Sequence, residues 1–445
     1  MVETSAPGRG ATRCRAILVA APSSGTGKTS VTAALARRFT RDGHRVRAFK
    51  VGPDFLDPMV LECATGAPVH QLDLWMVGES ECARRLYEAS LEADIILVEG
   101  VMGLYDGDPS GADLAQRFRL PVAVVVDAGA MAQTFAAVAT GLLRFRPLIA
   151  GGVIANRIAS ERHAQMVVEQ LPADITFLGS LPKVADAALP ERHLGLVQAR
   201  EIGDLERRID AMAAAWTPQP APLPPQVDWA PVERTPPARR LAGVRIAVAR
   251  DAALSFIYRA NLELLEAMGA TLAFFSILEP GLPACDALYL PGGYPELHAQ
   301  AIAANAPMKA ASTAMHAAGR PILAECGGMM CLAEGLTLAD GTRHAMFGLL
   351  PAEVVMQTRL SALGLQEAML PEGAIRGHTF HYSKMSTAMQ PLARALVKRD
   401  GKPGEAIYRS KRLTASYVHL YFASNPEATA ALFAPDAGAD AASDA

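Results

Sequence analysis

Cysteine is scarce and unpatterned: Cys14, Cys63, Cys82, Cys285, Cys326 and Cys331 form no C-x-x-C pair and no Cys/His metal spacing in 445 residues. That argues against a disulfide framework and predicts a reducing, cytoplasmic setting. Neither charge sign is in excess. Lys and Arg number 42 against 45 Asp and Glu, a formal net charge of −3, so no basic footprint for nucleic acid exists. Long apolar runs are missing too. The longest, Pro121 to Leu143, carries Asp127 and Gln133 near its middle and reads as a buried strand plus helix, not a membrane span. Met1 to Arg15 contains Gly, Pro and Arg but no apolar h-region, so it is expected to be a loose leader rather than a signal peptide.

What is present is a globular composition, 51% hydrophobic and 20% charged, in a chain too long for one ordinary core. Two or three domains are expected. Between Thr217 and Pro237 stand eight prolines in twenty-one residues, which cannot continue a helix or a central strand. This predicts a domain at 1–216, a Pro-rich linker at 217–240 and a second domain at 241–445.

In the first half, Ala16 to Ser30 is an apolar run that breaks into a Gly/Ser turn and enters a helical pattern. Strand, loop and helix in that order predict a phosphate loop formed by Ser24, Gly25, Thr26, Gly27, Lys28, Thr29 and Ser30. Its backbone N–H groups and the helix N-terminus would face the anion, Lys28 would reach the outer phosphates, and Thr29 would hold Mg²⁺. The full G-x-x-x-x-G-K-[ST] pattern wants glycine where Pro22 stands, so this is a variant. Further near-continuous apolar strands alternate with helices, which indicates a parallel sheet covered on both faces. Chemistry in such sheets sits beyond the strands' carboxyl ends. There stand Asp54, Asp57, Glu99 and Asp106; four carboxylates beside a phosphate loop would repel ATP unless a hard cation lay between them, which implies Mg²⁺. Asp127 and Asn156 also follow strands, and either contacts nucleotide or caps a helix.

The second half opens a second α/β pattern at Val244–Ala249. Ala287 to Glu296 is a strand running into Gly292-Gly293, whose backbone N–H groups can donate to an oxyanion. Arg320 to Ala333 is strand, sharp turn, helix with Cys326 at the bend, the pattern of a nucleophile elbow. A helix N-terminus is expected to lower that thiol's pKa; Cys331 reads as packing. A thiolate wants a histidine partner. His419 ends a β-like run ninety-three positions on, with His378 and His381 as rivals.

Six segments together, PSSGTGKTS (22–30), VGPDFLDP (51–58), VEGVMGLYDG (98–107), LPGGYPE (290–296), AECGG (324–328) and SYVHLYF (416–422), closely resemble the cobyrinate and hydrogenobyrinate a,c-diamide synthases. The resemblance covers nearly all of the chain. It implies a dethiobiotin-synthetase-like P-loop domain fused to a flavodoxin-like class I glutamine amidotransferase domain. It implies ATP-dependent phosphorylation of corrinoid carboxylates, then attack by ammonia from L-glutamine. It places Thr29, Asp54 and Glu99 near Mg²⁺ and nucleotide, Asp57 and Asp106 around the acceptor carboxylate, and Cys326 and His419 as nucleophile and base. Backbone N–H groups near Gly293 and Gly327 would form the oxyanion hole. No nucleic acid or membrane partner is implied, and a homodimer is compatible. Cobyric acid synthases and nickel-sirohydrochlorin a,c-diamide synthases share this logic; a partition-type switch ATPase would have no use for the elbow. One departure stands out: many glutamine amidotransferases carry glutamate two residues past the histidine, where this chain has Tyr421, so the group that orients His419 is open.

Overall fold

A computed structural model describes residues 10–185, 187–192, 195–233 and 235–435. The chain divides into two compact units, Met1–Arg234 and Thr235–Ala445. Both are α/β, the fold class expected from the sequence.

The first unit contains β1 (Thr12–Ala20), α1 (Lys28–Arg41), β2 (Val46–Val51), α2 (Leu56–Thr65), β3 (His70–Leu72), α3 (Glu79–Glu92), β4 (Ile95–Glu99), α4 (Gly111–Arg117) and β5 (Val122–Asp127). It continues with α5 (Thr134–Arg144), β6 (Ala150–Ile158), α6 (Glu161–Val168), β7 (Phe177–Pro182), a hairpin of β8 (Glu191–Arg192) and β9 (Gly195–Leu196), α7 (Leu205–Ala215) and β10 (Gln226–Trp229). The strands β3-β2-β4-β1-β5-β6-β7 run parallel in that order. The Val- and Ile-rich strands β4 and β5 are buried along nearly their whole length, as central strands with both faces covered must be. This order sets the carboxyl ends of β2, β4 and β1 side by side, with Lys50 opposite Glu99 and Val19 opposite Glu99.

Two expectations change here. Thr12 to Arg15, read as part of a loose leader, pairs antiparallel with β10, Thr12 opposite Trp229 and Arg15 opposite Gln226; residues 1–9 lie outside the described residues. The Pro-rich stretch, expected as a linker, contributes a strand to the first unit. Its β10 pairs on one side only, with the amino-terminal end of the central strand β1, so proline nearby costs no second ladder. Arg15 Nη1 donates to Pro224 O at 2.8 Å, and Thr217 and Ser180 exchange backbone bonds. Val227 and Trp229 are buried there, worth about 1.5–3 kcal/mol each relative to exposure.

The second unit comprises β11 (Arg245–Ala249), α8 (Arg259–Ala267), β12 (Thr271–Phe275), β13 (Ala287–Leu290), α9 (Ala299–Ala304), α10 (Ala306–Ala317), β14 (Ile322–Glu325), α11 (Gly327–Leu332), β15 (Gly335–Thr337), β16 (Arg343–Ala345) and β17 (Ala352–Met356). Then come β18 (Ala362–Leu370), β19 (Gly373–His381), β20 (Ser383–Thr387), β21 (Ala393–Val397), β22 (Pro403–Ser410), β23 (Leu413–Ser416), β24 (His419–Leu420) and α12 (Pro426–Phe433). Its main sheet has the order β12-β11-β13-β14-β23-β22-β21-β18-β19-β24, and β16-β15-β17-β20 form a smaller one. The strands from β12 to β23 are parallel; the remainder are antiparallel. The run expected to carry His419 is therefore interrupted: β23 stops at Ser416 and β24 pairs elsewhere, on β19. The last helix, α12, ends at Phe433, and residues 436–445 lie outside the described residues. Among the described residues no helix is long and apolar enough to cross a membrane.

Candidate functional site

The loop after β1 turns through Gly25 (φ 76°) and Gly27 (φ 89°), left-handed conformations in which a side chain would be strained. Gly27 caps α1, and no side chain takes the cap position, so the helix's first N–H groups are left to a ligand. Ser24 and Gly25 are exposed, Thr26 and Lys28 buried, Gly27, Thr29 and Ser30 half-buried. Asn156 donates its carboxamide N–H to Thr26 O at 2.8 Å, and a Cβ on Gly27 would lie 2.3 Å from the same Nδ2. It braces the loop from β6, while Asp127 beside it pairs with Arg157.

Lys28 Nζ donates to Ser23 O at 2.9 Å and Met102 O at 2.6 Å. Burial, with the nearby charge of Lys50, brings its pKa down to about 8. Thr29 Oγ1 donates to Glu99 Oε1 at 2.7 Å. Asp106 Oδ2 accepts from Gly103 N–H at 2.9 Å, closing the turn that carries Met102 against Lys28. Asp54 Oδ1 accepts from the N–H groups of Leu56 and Asp57 at 2.7 and 3.1 Å, capping α2 from two residues before its start.

The sequence reading of the acids left out a charge that the structure places among them. Lys50, at 1% exposure, sits among them: its Nζ is 2.9 Å from Glu99 Oε1 and 2.6 Å from Asp57 Oδ2. A buried ammonium thus supplies a positive charge where a cation was expected. Burial raises Asp54 to about 6 and Glu99 to about 7, whereas Lys50 outweighs burial at Asp57 and holds that carboxyl below its usual range. Two observations still fit a divalent cation: Glu99 Oε2 is buried with no hydrogen-bond partner, and the Thr29 hydroxyl lies beside it on Oε1. Among the described residues no three His, Cys, Asp or Glu side chains form a metal cage. Mg²⁺ commonly completes its shell with phosphate oxygens and water.

In the second unit the backbone at Cys326 has φ 44° and ψ −106°, a conformation that non-glycine residues seldom hold. It is maintained from both sides: Cys326 N–H donates to Ser416 O at 2.7 Å, and α11 begins at once with Gly327. A Cβ on Gly327 would meet Gly293 N at 2.9 Å, so the two backbones abut. A Cβ on Gly292 would stand 2.1 Å from His419 Cε1. His419, the elbow and the glycine turn are therefore one packed cluster.

The thiol expectation is overturned in sign. Burial, followed by the negative charge of Glu296, pushes the Cys326 thiol up, well above its ordinary value; the first N–H of a six-residue helix, at Gly327, lowers it by less. Cys331 is likewise buried. His419 moves the opposite way: burial, then His378 and His381, hold its pKa well below 6.5. Burial thus disfavours the charged form of both side chains.

The rival histidines occupy distinct places. His378 lies opposite His419 in the β19–β24 ladder and stacks on it, centroids 5.6 Å apart. His381 bonds Ser383 O at 2.9 Å and Glu405 at 3.0 Å and stacks on Tyr417 at 3.7 Å. Sequence reasoning missed Lys50, Glu325, Tyr289 and Asn261, all buried. A lysine one residue before a strand's end was a weak signal for Lys50; for the other three nothing local pointed to a site.

Residues 17–197 match the model of a CobQ/CobB/MinD/ParA nucleotide binding domain, and residues 245–427 that of a CobB/CobQ-like glutamine amidotransferase domain. Among curated relatives, a hydrogenobyrinate a,c-diamide synthase of Stutzerimonas stutzeri is 58% identical over 95% of this chain and 99% of its own. One of that name from Pseudomonas aeruginosa is 55% identical over 96% and 99%, and a cobyrinate a,c-diamide synthase of Herminiimonas arsenicoxydans 49% identical over 95% and 97%.

Proposed function

As the chain belongs to the family of hydrogenobyrinate and cobyrinate a,c-diamide synthases, we propose that it amidates the a and c carboxylates of such a corrinoid with ATP and L-glutamine. The metal-free macrocycle is the favoured substrate, because the relatives at 58% and 55% identity carry its name and the cobalt form enters at 49%.

The observation that carries the reading is the elbow: a thiol at φ 44°, abutting glycine backbones and a neutral histidine, on the same chain as a phosphate loop. A switch ATPase would not maintain so strained a cysteine. In the glutaminase step, Cys326 Sγ attacks the carboxamide carbon while His419 takes the thiol proton. The oxygen gains charge opposite the N–H groups of Gly327 and Gly293. His419 returns the proton to the departing ammonia, and water then cleaves the thioester to glutamate. Burial favours this order, since it penalises a resting thiolate–imidazolium pair.

In the amidating step, a carboxylate is a poor electrophile because oxide would have to leave. Its oxygen attacks the γ-phosphorus of ATP, ADP departs, and ammonia displaces phosphate from the acyl phosphate. Lys28 follows the γ-phosphate; the loop from Ser24 to Ser30 with Asn156 fixes the nucleotide. Asp57, held by Lys50, and Asp106, held by its turn, flank the acceptor. Thr29, Glu99 and Asp54 would hold Mg²⁺, which offsets phosphate charge. A cytoplasmic setting belongs to the same reading, and all six cysteines are free thiols.

The test is to incubate the protein with ATP, Mg²⁺, glutamine and either macrocycle and weigh the product. Each amidation replaces a hydroxyl by an amino group, a change of about 1 Da, and should occur twice. Unchanged mass with both macrocycles would overturn the proposal.

A further inference from the structure

His419 lacks the carboxylate that a third triad member would place two residues on, since Tyr421 stands there. Another carboxylate reaches the same segment by a different route. Glu325, the residue before Cys326, is 2% exposed; its Oε1 accepts from Leu420 N–H at 3.1 Å and its Oε2 from Tyr289 Oη at 2.9 Å. Leu420 directly follows the base. On its other side Asn261 closes the grip: Nδ2 donates to Leu420 O at 2.7 Å and Oδ1 accepts from Phe422 N–H at 2.8 Å. Glu325, Tyr289 and Asn261 are all buried. β24 is two residues long and among the described residues pairs with β19 alone, so its ladder is a weak anchor for a catalytic side chain.

We propose that Glu325 is the positioning residue for His419, acting as a strut from the elbow strand to the backbone of the base rather than as a charge on the imidazole. One side chain then fixes nucleophile and base together, because any shift of β14 moves both. The strut needs an acceptor for Leu420 N–H and a partner for Tyr289; it does not need a negative charge. Burial raises the Glu325 carboxyl to about 8; once protonated, its Oε2–H donates to the Tyr289 phenol oxygen and the contact is kept with its direction reversed. Glutamine satisfies both contacts, its Oε1 accepting from Leu420 N–H and its Nε2 donating to the phenol oxygen. Aspartate keeps the charge but falls one methylene short.

This rests on His419 being the base, and the two can fail separately. His419→Ala retaining glutamine-dependent synthesis would sink that assignment whatever residue 325 does. With His419 needed, Glu325→Gln and Glu325→Asp are compared by glutamine-dependent and ammonium-dependent synthesis. The expected result is that E325Q keeps at least a third of the wild-type glutamine-dependent kcat. E325D should lose it about tenfold or more at nearly unchanged KM for glutamine, and both should use ammonium salt at the wild-type rate. E325D active and E325Q inactive would mean that charge matters and overturn the strut. So would equal behaviour of the two, in either direction, or loss of ammonium-dependent synthesis along with glutamine use.

Discussion

Replacing Gly292 by alanine adds one methyl group where there is no room for it. The new Cβ would stand 2.1 Å from His419 Cε1 and 2.8 Å from Nδ1. The ring cannot simply retreat, because it stacks on His378 at 5.6 Å and lies near Phe256 at 6.3 Å. Phe256 is itself tied to the glycine, donating its N–H to Gly292 O at 3.0 Å. Relief therefore requires a displacement of about 1 Å in the imidazole or the glycine turn, and a misplacement of that size at a reacting pair costs on the order of 10²-fold. The backbone there is in an ordinary conformation, so the effect is steric and not torsional. Overpacking should take about 1–3 kcal/mol from stability, which leaves the unit folded if it has an ordinary margin. The assay is synthesis from glutamine beside synthesis from ammonium salt. Gly292→Ala should lower the first about 10²-fold and leave the second within twofold. Glutamine-dependent turnover within threefold of wild type would refute the placement of His419 at the reacting centre.

Cys326→Ala should abolish glutamine use and spare ammonium use; loss of both would mean that the cysteine holds the fold rather than the chemistry. Lys28→Ala should stop amidation from either nitrogen source, and retained synthesis would remove the lysine from the phosphate site. The glutamine-dependent kcat/KM should show no acid limb between pH 6 and 7.5, since His419 stays neutral well below 6.5; an inflection near 6.5 would contradict that. His378, brought down to about 3 by burial, makes stability fall on acidification. The unfolded chain takes a proton below pH 6.5 and the folded chain refuses it, a loss of about 2 kcal/mol by pH 5 that His378→Gln should remove in denaturant titrations.

How much of this was legible in the sequence follows the range of the interactions. The phosphate loop was, because strand, glycine turn and helix are contiguous and each glycine answers to a local φ. The elbow was, for the same reason: its strand, bend and helix occupy eleven residues, 322–332. What escaped was set by partners far along the chain. Lys50 meets Glu99 forty-nine residues away, Glu325 meets Leu420 ninety-five away, and Asn261 meets Phe422 one hundred and sixty-one away. The prolines at 217–237 were read for what they forbid, a central strand, whereas a strand paired on one side only, at 226–229, was still allowed to them.

The two electrostatic arguments drawn from the sequence share one omission. A carboxylate cluster was expected to need a metal, and a helix N-terminus was expected to make a thiolate; both arguments count charges and omit burial. Glu99 is fully buried and Cys326 is 5% exposed, so the cost of removing charge from water is the largest single influence on each. In the first unit that cost is offset by a second buried ion, Lys50. In the second unit the Gly327 N–H offsets it only in part, so on the proposed reading the thiol and imidazole stay neutral until a substrate carbonyl gives the developing charge somewhere to go. Such a centre holds little thiolate to react with other electrophiles, and it places the demand on geometry, which is why the backbone of the base, rather than its charge, is where a change should be felt most.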